Sequence, residues 1–491
     1  MLALVVIMLI LLAWALVAGR LARFSVTMPF AMLAAGVALT AGPNPVFIFD
    51  VEIESAEHVV EGILAILLFT DATEIPGGIL GRQPRLTLRL LLIALPLSLV
   101  VAWFGGAVLF EGAGGWLLLV LATVVMPVDL APAIAVVRDR RIPERLRQVI
   151  NAESGLNDGL IAPVFLFALA GATAVGGEGL ADAAVHALPS LAMAILAGAV
   201  VGAAAARVLH RALDSGWTQS SALRIGVLAL PLLAYGAAAL VEGNGFVAAF
   251  VAGVFFEPAA RRLPPGTLHL VEDVGTLLSL ALWFIFGAIV NQTLAGGAIT
   301  WQVVLYALLA LTVARMLPVV LALIRTDVSA KDRLVLGWAG PRGIATLVFG
   351  MLAFIDLAGP QKDFVLAVTV VTVVASIVIH GLSTGLVARH YGRTAVAETG
   401  TEHADSGPTS AGPRRRAGPA RPSPRPTGRT PGSGGGGGAT RPPDRPERVG
   451  RSGLPGLLPV RLTHRVMRMR LEFFWPSRRV CQFDEFCPRA A

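Results

Sequence analysis

Two carboxylates, Glu153 and Asp158, stand in the run Ile150-Asn151-Ala152-Glu153-Ser154-Gly155-Leu156-Asn157-Asp158-Gly159, inside a chain that is otherwise almost continuously apolar. A charge at bilayer depth costs several kcal/mol, roughly 2.5–3.5 on insertion scales, so such residues usually mark an ion or proton pathway. On a helix, Glu153 and Asn157 share one face and Asp158 points about 100° further round. The chain offers an intramembrane arginine, Arg315, to neutralise one acid, and Glu153 is assigned to it. Asp158 then has no permanent partner. Such a carboxylate holds a proton or a bare cation but not both, and exposing it alternately to the two membrane faces gives obligatory, electroneutral exchange. Asp129 and Asn157 are the candidate neighbours, Asn157 donating to Asp129 or to a freed carbonyl. Carbonyls of residues 126–130 and the Ser154 hydroxyl would add hard oxygen ligands suited to Na⁺ or Li⁺. Arg342 is placed to offset Asp129 or to cap an exposed half-helix end.

The elements that must carry these groups are membrane helices. Apolar residues make up 55% of the 491 residues and charged ones 15%, well below the roughly 25% of soluble domains. Apolar runs near 20 residues recur from Met1 to about Leu386, each long enough for a ~30 Å hydrocarbon core. Basic connections (Arg20/Arg23, Arg82–Arg89, Arg138–Arg147, Arg207–Arg224, Arg261/Arg262, Arg325–Arg333, Arg389–Arg393) alternate with acidic or neutral ones. Because Lys and Arg concentrate in cytoplasmic loops, the expectation is an all-α polytopic membrane protein of about 13 transmembrane helices. Its N-terminus is outside and its C-terminal tail cytoplasmic.

Two spans are interrupted, one by Met126-Pro127-Val128-Asp129-Leu130-Ala131-Pro132 and one by Gly340-Pro341-Arg342-Gly343. Proline removes a backbone donor and clashes with the preceding turn, so each should unwind mid-membrane. They lie an odd number of spans apart and run in opposite directions, which points to two inverted repeats with the site between their broken helices. The plainer alternative is a pair of kinks in packed helices. Depth supports a shared site: Asp129, Asp158, Arg342, Arg315 and Asp71 each lie 9–11 residues from a cytoplasmic basic residue, or roughly 13–17 Å at helical rise. Other roles stay open: a cap for Asp129, another acid for Arg315, and ion pairs at the cytoplasmic mouth for Asp71 and Glu74. For His380 the expected role is packing rather than proton relay.

At these residues the chain resembles the monovalent cation:proton antiporter-1 family, the bacterial Na⁺/H⁺ exchangers and their animal relatives. The resemblance covers residues 1–393. It rests on Glu153-Ser154-Gly155-Leu156-Asn157-Asp158-Gly159, supported by Phe69-Thr70-Asp71-Ala72, Asn244–Gly253, Gly340-Pro341-Arg342-Gly343-Ile344 and His380-Gly381-Leu382-Ser383. It implies the Na⁺/H⁺ antiporter fold, in which the two broken helices cross, with a dimerisation domain, a core that moves like an elevator, and a homodimer. It also implies that Asp158 carries the exchanged ion, that Glu153 pairs with Arg315, and that the Asn157-Asp158 pairing goes with electroneutral 1:1 exchange. The family's usual Thr-Asp-Pro is Val128-Asp129-Leu130 here, which leaves K⁺/H⁺ exchange as the alternative to Na⁺ or Li⁺.

Residues 394–491 carry 17 Arg and 8 acidic residues, so the net +8 of the chain belongs to the tail and gives no reason to expect nucleic-acid binding. The tail divides into a Pro/Gly/Arg-rich linker, 394–453, expected to be disordered, and a basic, partly apolar segment, 454–491, able to lie on the anionic inner leaflet of the cell membrane. Both cysteines, Cys481 and Cys487, fall there, so neither disulfide nor Cys-based metal site supports the membrane domain. No cofactor and no enzyme chemistry are expected: an intramembrane aspartyl protease needs an adjacent acid pair and its Gly-x-Gly-Asp and Tyr-Asp motifs are missing. A channel-like protein or a non-transporting sensor is the remaining rival, and a sensor would tolerate Asp158→Asn.

Overall fold

The computed structural model describes residues 2–21, 26–42, 53–75, 80–131, 141–174 and 180–405; the linker and tail from residue 406 onward lie outside them. The described residues are helical. In chain order they form α1 (Leu2–Leu21), α2 (Met28–Thr40), α3 (Ile53–Thr73), α4 (Pro84–Arg89), one π turn (Leu90–Ala94), α5 (Leu95–Leu109), α6 (Gly115–Val125), α7 (Glu144–Thr173) and α8 (Leu180–Asp214). There follow α9 (Ser220–Ala239), α10 (Gly245–Ala260), α11 (His269–Ala295), α12 (Trp301–Leu311), α13 (Val313–Ala322), α14 (Ala330–Trp338), α15 (Ile344–Asp356) and α16 (Pro360–Asp405). The last runs past Arg393, where the membrane domain was expected to end. Among the described residues, seven helical segments are long and apolar enough to cross a membrane, among them Pro84–Leu109, Glu144–Thr173 and Trp301–Ala322. Shorter apolar helices such as Met28–Thr40, Gly115–Val125 and Ile344–Asp356 fall below that length by themselves.

Local chemistry sets the element ends. Asn244 caps α10 by accepting from the Val247 amide (3.0 Å), and Ser329 caps α14 by accepting from Asp332 (3.1 Å). Pro127 stops α6, and Gly340-Pro341 stops α14. A third interruption, between α12 and α13 at Thr312 (φ −114, ψ −89), was not expected. Its hydroxyl donates back to the Leu308 carbonyl (2.6 Å), a bond that competes with the helix ladder.

Tight approaches use residues without bulk. Gly36 of α2 and Gly287 of α11 meet backbone to backbone, so a side chain at either would force the two helices apart. The main core gathers Phe165 of α7, stacked on Phe349 of α15 at 4.6 Å, with Trp283, Tyr306 and Leu347. A separate cluster joins α4, α7, α13 and α14 through Leu86, Leu146, Val319, Leu323 and Leu336. Polar ties surround it: Arg89 donates to the last carbonyls of α13, Ala322 (3.1 Å) and Ile324 (3.0 Å), where a cation complements the helix dipole. Arg145 pairs with Asp327 at 2.8 Å.

Asp327 lies in the loop between α13 and α14, outside the spans. The Arg145 guanidinium holds its carboxyl below the ordinary 3.8. Because the folded value is depressed, the tie's contribution is complete above the ordinary carboxylate range and is lost as pH falls through the lowered value. Asp327→Asn is therefore expected to give the same small offset in thermal unfolding at every pH from about 6 to 9, vanishing only in strong acid.

Candidate functional site

α7 divides its polar residues between two faces. Asn151, Ser154, Gly155 and Asp158, spaced i, i+3, i+4 and i+7, line a cavity of about 450 Å³. Glu153 is not on that wall. Its carboxylate takes both terminal nitrogens of Arg315 on α13, Nη2 donating to Oε2 at 2.8 Å, with the two side chains only 1% and 2% exposed. This fork-on-fork geometry is the strong form of a charge-assisted pair. Asn157, fully buried, is likewise absent from the cavity lining. Neither atom of its amide has a hydrogen-bond partner among the described residues, so the expected bond to Asp129 or to a freed carbonyl is not formed. The helix turns Asn157 to the face that carries Glu153 instead.

The interrupted spans meet at Asp129 and Pro341, where the Asp129 amide donates to the Pro341 carbonyl (2.9 Å). Each break caps the other. Asp129 accepts from Ile344 N–H (2.9 Å) at the start of α15 and from Ala131 N–H (2.8 Å), placing a carboxylate at the positive end of a half-helix. Arg342, 0% exposed, donates to Met126 O and Pro127 O (3.1 Å) at the end of α6, where orphan carbonyls carry partial negative charge. It also donates to Ala310 O (3.0 Å), beside the unexpected break at Thr312. Of the two roles considered for Arg342, capping is the one its contacts describe. Ser154 Oγ donates to Val128 O (2.9 Å). The carbonyls of residues 126, 127 and 128, expected to be free for a cation, thus each already accept a protein donor.

Gly343 has a steric reason to be glycine, since a β-carbon there would overlap the Asp129 carboxylate. Gly343→Ala is expected to displace Asp129 from α15 and cost about 1–2 kcal/mol, the scale of a lost N-cap, seen as a lower midpoint in thermal unfolding of the purified chain.

Asp158 is 7% exposed. The backbone amide of Val128 faces its carboxylate, and Oδ1 has no hydrogen-bond partner among the described residues. Around the same cavity stand Asp71 and Glu74 at the end of α3, Asp129, and Glu272 of α11, while no Lys or Arg among the described residues lines it. The ion pairs expected for Asp71 and Glu74 do not form among the described residues; Arg82 pairs with Glu144 at 3.5 Å, and Arg261 with Glu257 one turn earlier on α10. Among the described residues, five carboxylates therefore face one cavity without a basic residue in its lining, an arrangement that concentrates cations and repels anions. Sequence reading missed Glu272 and Trp283, which complete the α11 wall. In sequence, Glu272 has only the signature of an acid in the first turn of a helix, and Trp283 only that of an aromatic in an apolar span.

A family model described as sodium/hydrogen exchanger, transmembrane, matches residues 5–390. The chain is 24% identical over 354 residues to a Na⁺/H⁺ antiporter of Schizosaccharomyces pombe, covering 65% of this chain and 75% of that one. It is 27% identical over 303 residues to the K⁺/H⁺ antiporter NhaP of Alkalimonas amylolytica, covering 60% of this chain but only 49% of that one. In fold it is similar to the sodium proton antiporter MjNhaP1 of Methanocaldococcus jannaschii, with TM-score 0.63 and 18% identity over 78% of this chain and all of that one.

Proposed function

Because the chain belongs to the sodium/hydrogen exchanger family, we propose that it exchanges one monovalent cation for one proton across the cell membrane, with Asp158 as the group that carries either. The observation that carries this reading is Asp158 itself: a buried carboxylate with one oxygen that has no partner among the described residues, at the wall of a cavity whose described lining holds acids and no base. A proton and a cation are alternative ways to neutralise it, and a ligand that binds one conformation better shifts the balance between cavity-open states. Each trip then moves the same charge whichever passenger is aboard, so exchange is 1:1 and electroneutral. Glu153–Arg315 keeps its charges throughout as a structural pair. Asp129 and Arg342 hold the crossing, and Ser154 and Asp71 shape the cavity beside Asp158.

Na⁺ or Li⁺ is the preferred cation, and K⁺ the alternative. The relatives include Na⁺/H⁺ and K⁺/H⁺ antiporters, and Val128 lacks the hydroxyl of a threonine. The proposal includes a homodimer with the N-terminus outside and the tail in the cytoplasm. The test is the pH change on adding Na⁺, Li⁺ or K⁺ to inside-out vesicles under an imposed proton gradient. Cation-dependent proton efflux insensitive to membrane potential is expected, ranking the ions. Absence of any such signal across pH 6–9 would sink the exchanger reading in favour of a sensor, and current without competition between cation and proton would favour a channel.

A further inference from the structure

α16 buries Thr369, Thr372, Ser376 and His380 among its apolar residues, and Ser376, His380 and the half-buried Ser383, spaced i, i+4 and i+7, lie on one side. Ser376 and His380 are almost wholly buried. Polar groups at such depth are costly unless bonded, and all three contact one short piece of chain, the end of α14 at Trp338 and the unwound residues that follow it. Ser376 Oγ accepts from the Arg342 amide (2.7 Å), a donor that the Gly340-Pro341 break leaves without a helical acceptor. Ser383 Oγ accepts from the Trp338 indole N–H (3.0 Å). The His380 ring lies on the Trp338 ring, centroids 5.1 Å apart. Its Nδ1 is 3.3 Å from Ser376 Oγ and 3.1 Å from Ser376 O. The Nδ1–H tautomer therefore has the Ser376 carbonyl to donate to.

We propose that Ser376, His380 and Ser383 clamp the end of α14 at Trp338 and the unwound residues through Arg342 to α16, and that they are positioning residues for exchange. What the clamp positions is Arg342. Its amide is held by Ser376, while its guanidinium ties down carbonyls at the end of α6 and at the α12–α13 break. Through this one arginine the grip of α16 reaches three interrupted spans. Residues 339–343 are not helical, so their shape depends on an external template, and the stripe supplies one. None of the three residues lines the cavity, which separates them from groups that touch the cation.

The test uses the full chain and two readouts. Ser376→Ala removes an acceptor without adding bulk. In hydrogen exchange on the purified protein it should speed amide exchange in the peptide spanning Trp338–Gly343 by about tenfold, the scale of one net hydrogen bond, leaving α2 and α11 peptides unchanged. In vesicles it should raise the apparent KM for Na⁺ roughly 3–10-fold, an effect that loss of folded protein alone does not produce because that lowers only the maximal rate. His380→Leu should behave alike, and His380→Gln, which keeps a donor and an acceptor, should lie nearer wild type. Unchanged exchange at 338–343, acceleration spread over the whole protein, or an unaltered KM would each overturn the clamp. The transport arm rests on the exchange reading, whereas hydrogen exchange does not. Inactive wild-type vesicles would count against exchange, and the clamp would then stand or fall on the amide data.

Discussion

Asp158→Asn is expected to abolish cation-dependent proton movement while leaving a folded, well-expressed chain. The substitution preserves size and removes only the ability to be negative. A carboxylate at 7% exposure, facing the Val128 amide and with one oxygen unbonded, is an unfavourable thing to bury, and a neutral amide is cheaper there. Thermal unfolding should therefore hold steady or rise slightly. Transport should fall to the level of empty vesicles at every cation concentration, because a neutral side chain has neither proton to give nor charge to offer. The comparison separates a carrier from a positioning group. Residual exchange with a raised KM would mean that Asp71, Asp129, Glu74 or Glu272, which share the cavity, carries the ion instead.

The second large effect concerns Glu153 and Arg315. Breaking a buried ion pair by removing one partner costs about 3–5 kcal/mol, since the other charge is left uncompensated in low dielectric. Glu153→Gln strands the Arg315 guanidinium, and Arg315→Leu strands the Glu153 carboxylate, in surroundings where each is at most 2% exposed. Both single variants are expected to unfold at markedly lower temperature. The double replacement Glu153→Leu/Arg315→Leu should recover much of the loss, because a well-packed apolar pair dispenses with both desolvation costs. Thermal unfolding of the three variants in one detergent checks this as a double-mutant cycle. Additive losses would mean that the two side chains do not act as a unit. The vesicle assay on the rescued double variant adds a functional reading: restored exchange is expected if the pair serves stability, and continued inactivity would move Glu153 into the ion path.

The helical class, the membrane setting, two of the breaks and the sharing of one region by Asp129, Asp158 and Asp71 were legible from residue types and spacing. These are local properties. Hydropathy decides whether a helix can sit in lipid, proline decides where its ladder fails, and helical periodicity puts Asn151, Ser154 and Asp158 on one side and Glu153 on another. The break at Thr312 was not legible, because no proline or glycine marks it. Thr312 turns its hydroxyl onto Leu308, and Arg342 from another span takes the Ala310 carbonyl. Nor could spacing tell that Met126, Pro127 and Val128 carbonyls are already occupied, that Asn157 lacks a bond, that Glu272 and Trp283 wall the cavity, or that α16 grips Trp338 and Arg342. Each depends on which helix lies opposite and at what register. The sequence alone thus determined which groups are unusual and at what depth they lie, since the cost of charge in lipid and the missing proline donor act one residue at a time. Only the tertiary structure decided who satisfies whom, because a hydrogen bond between distant spans is set by packing geometry that no single segment contains.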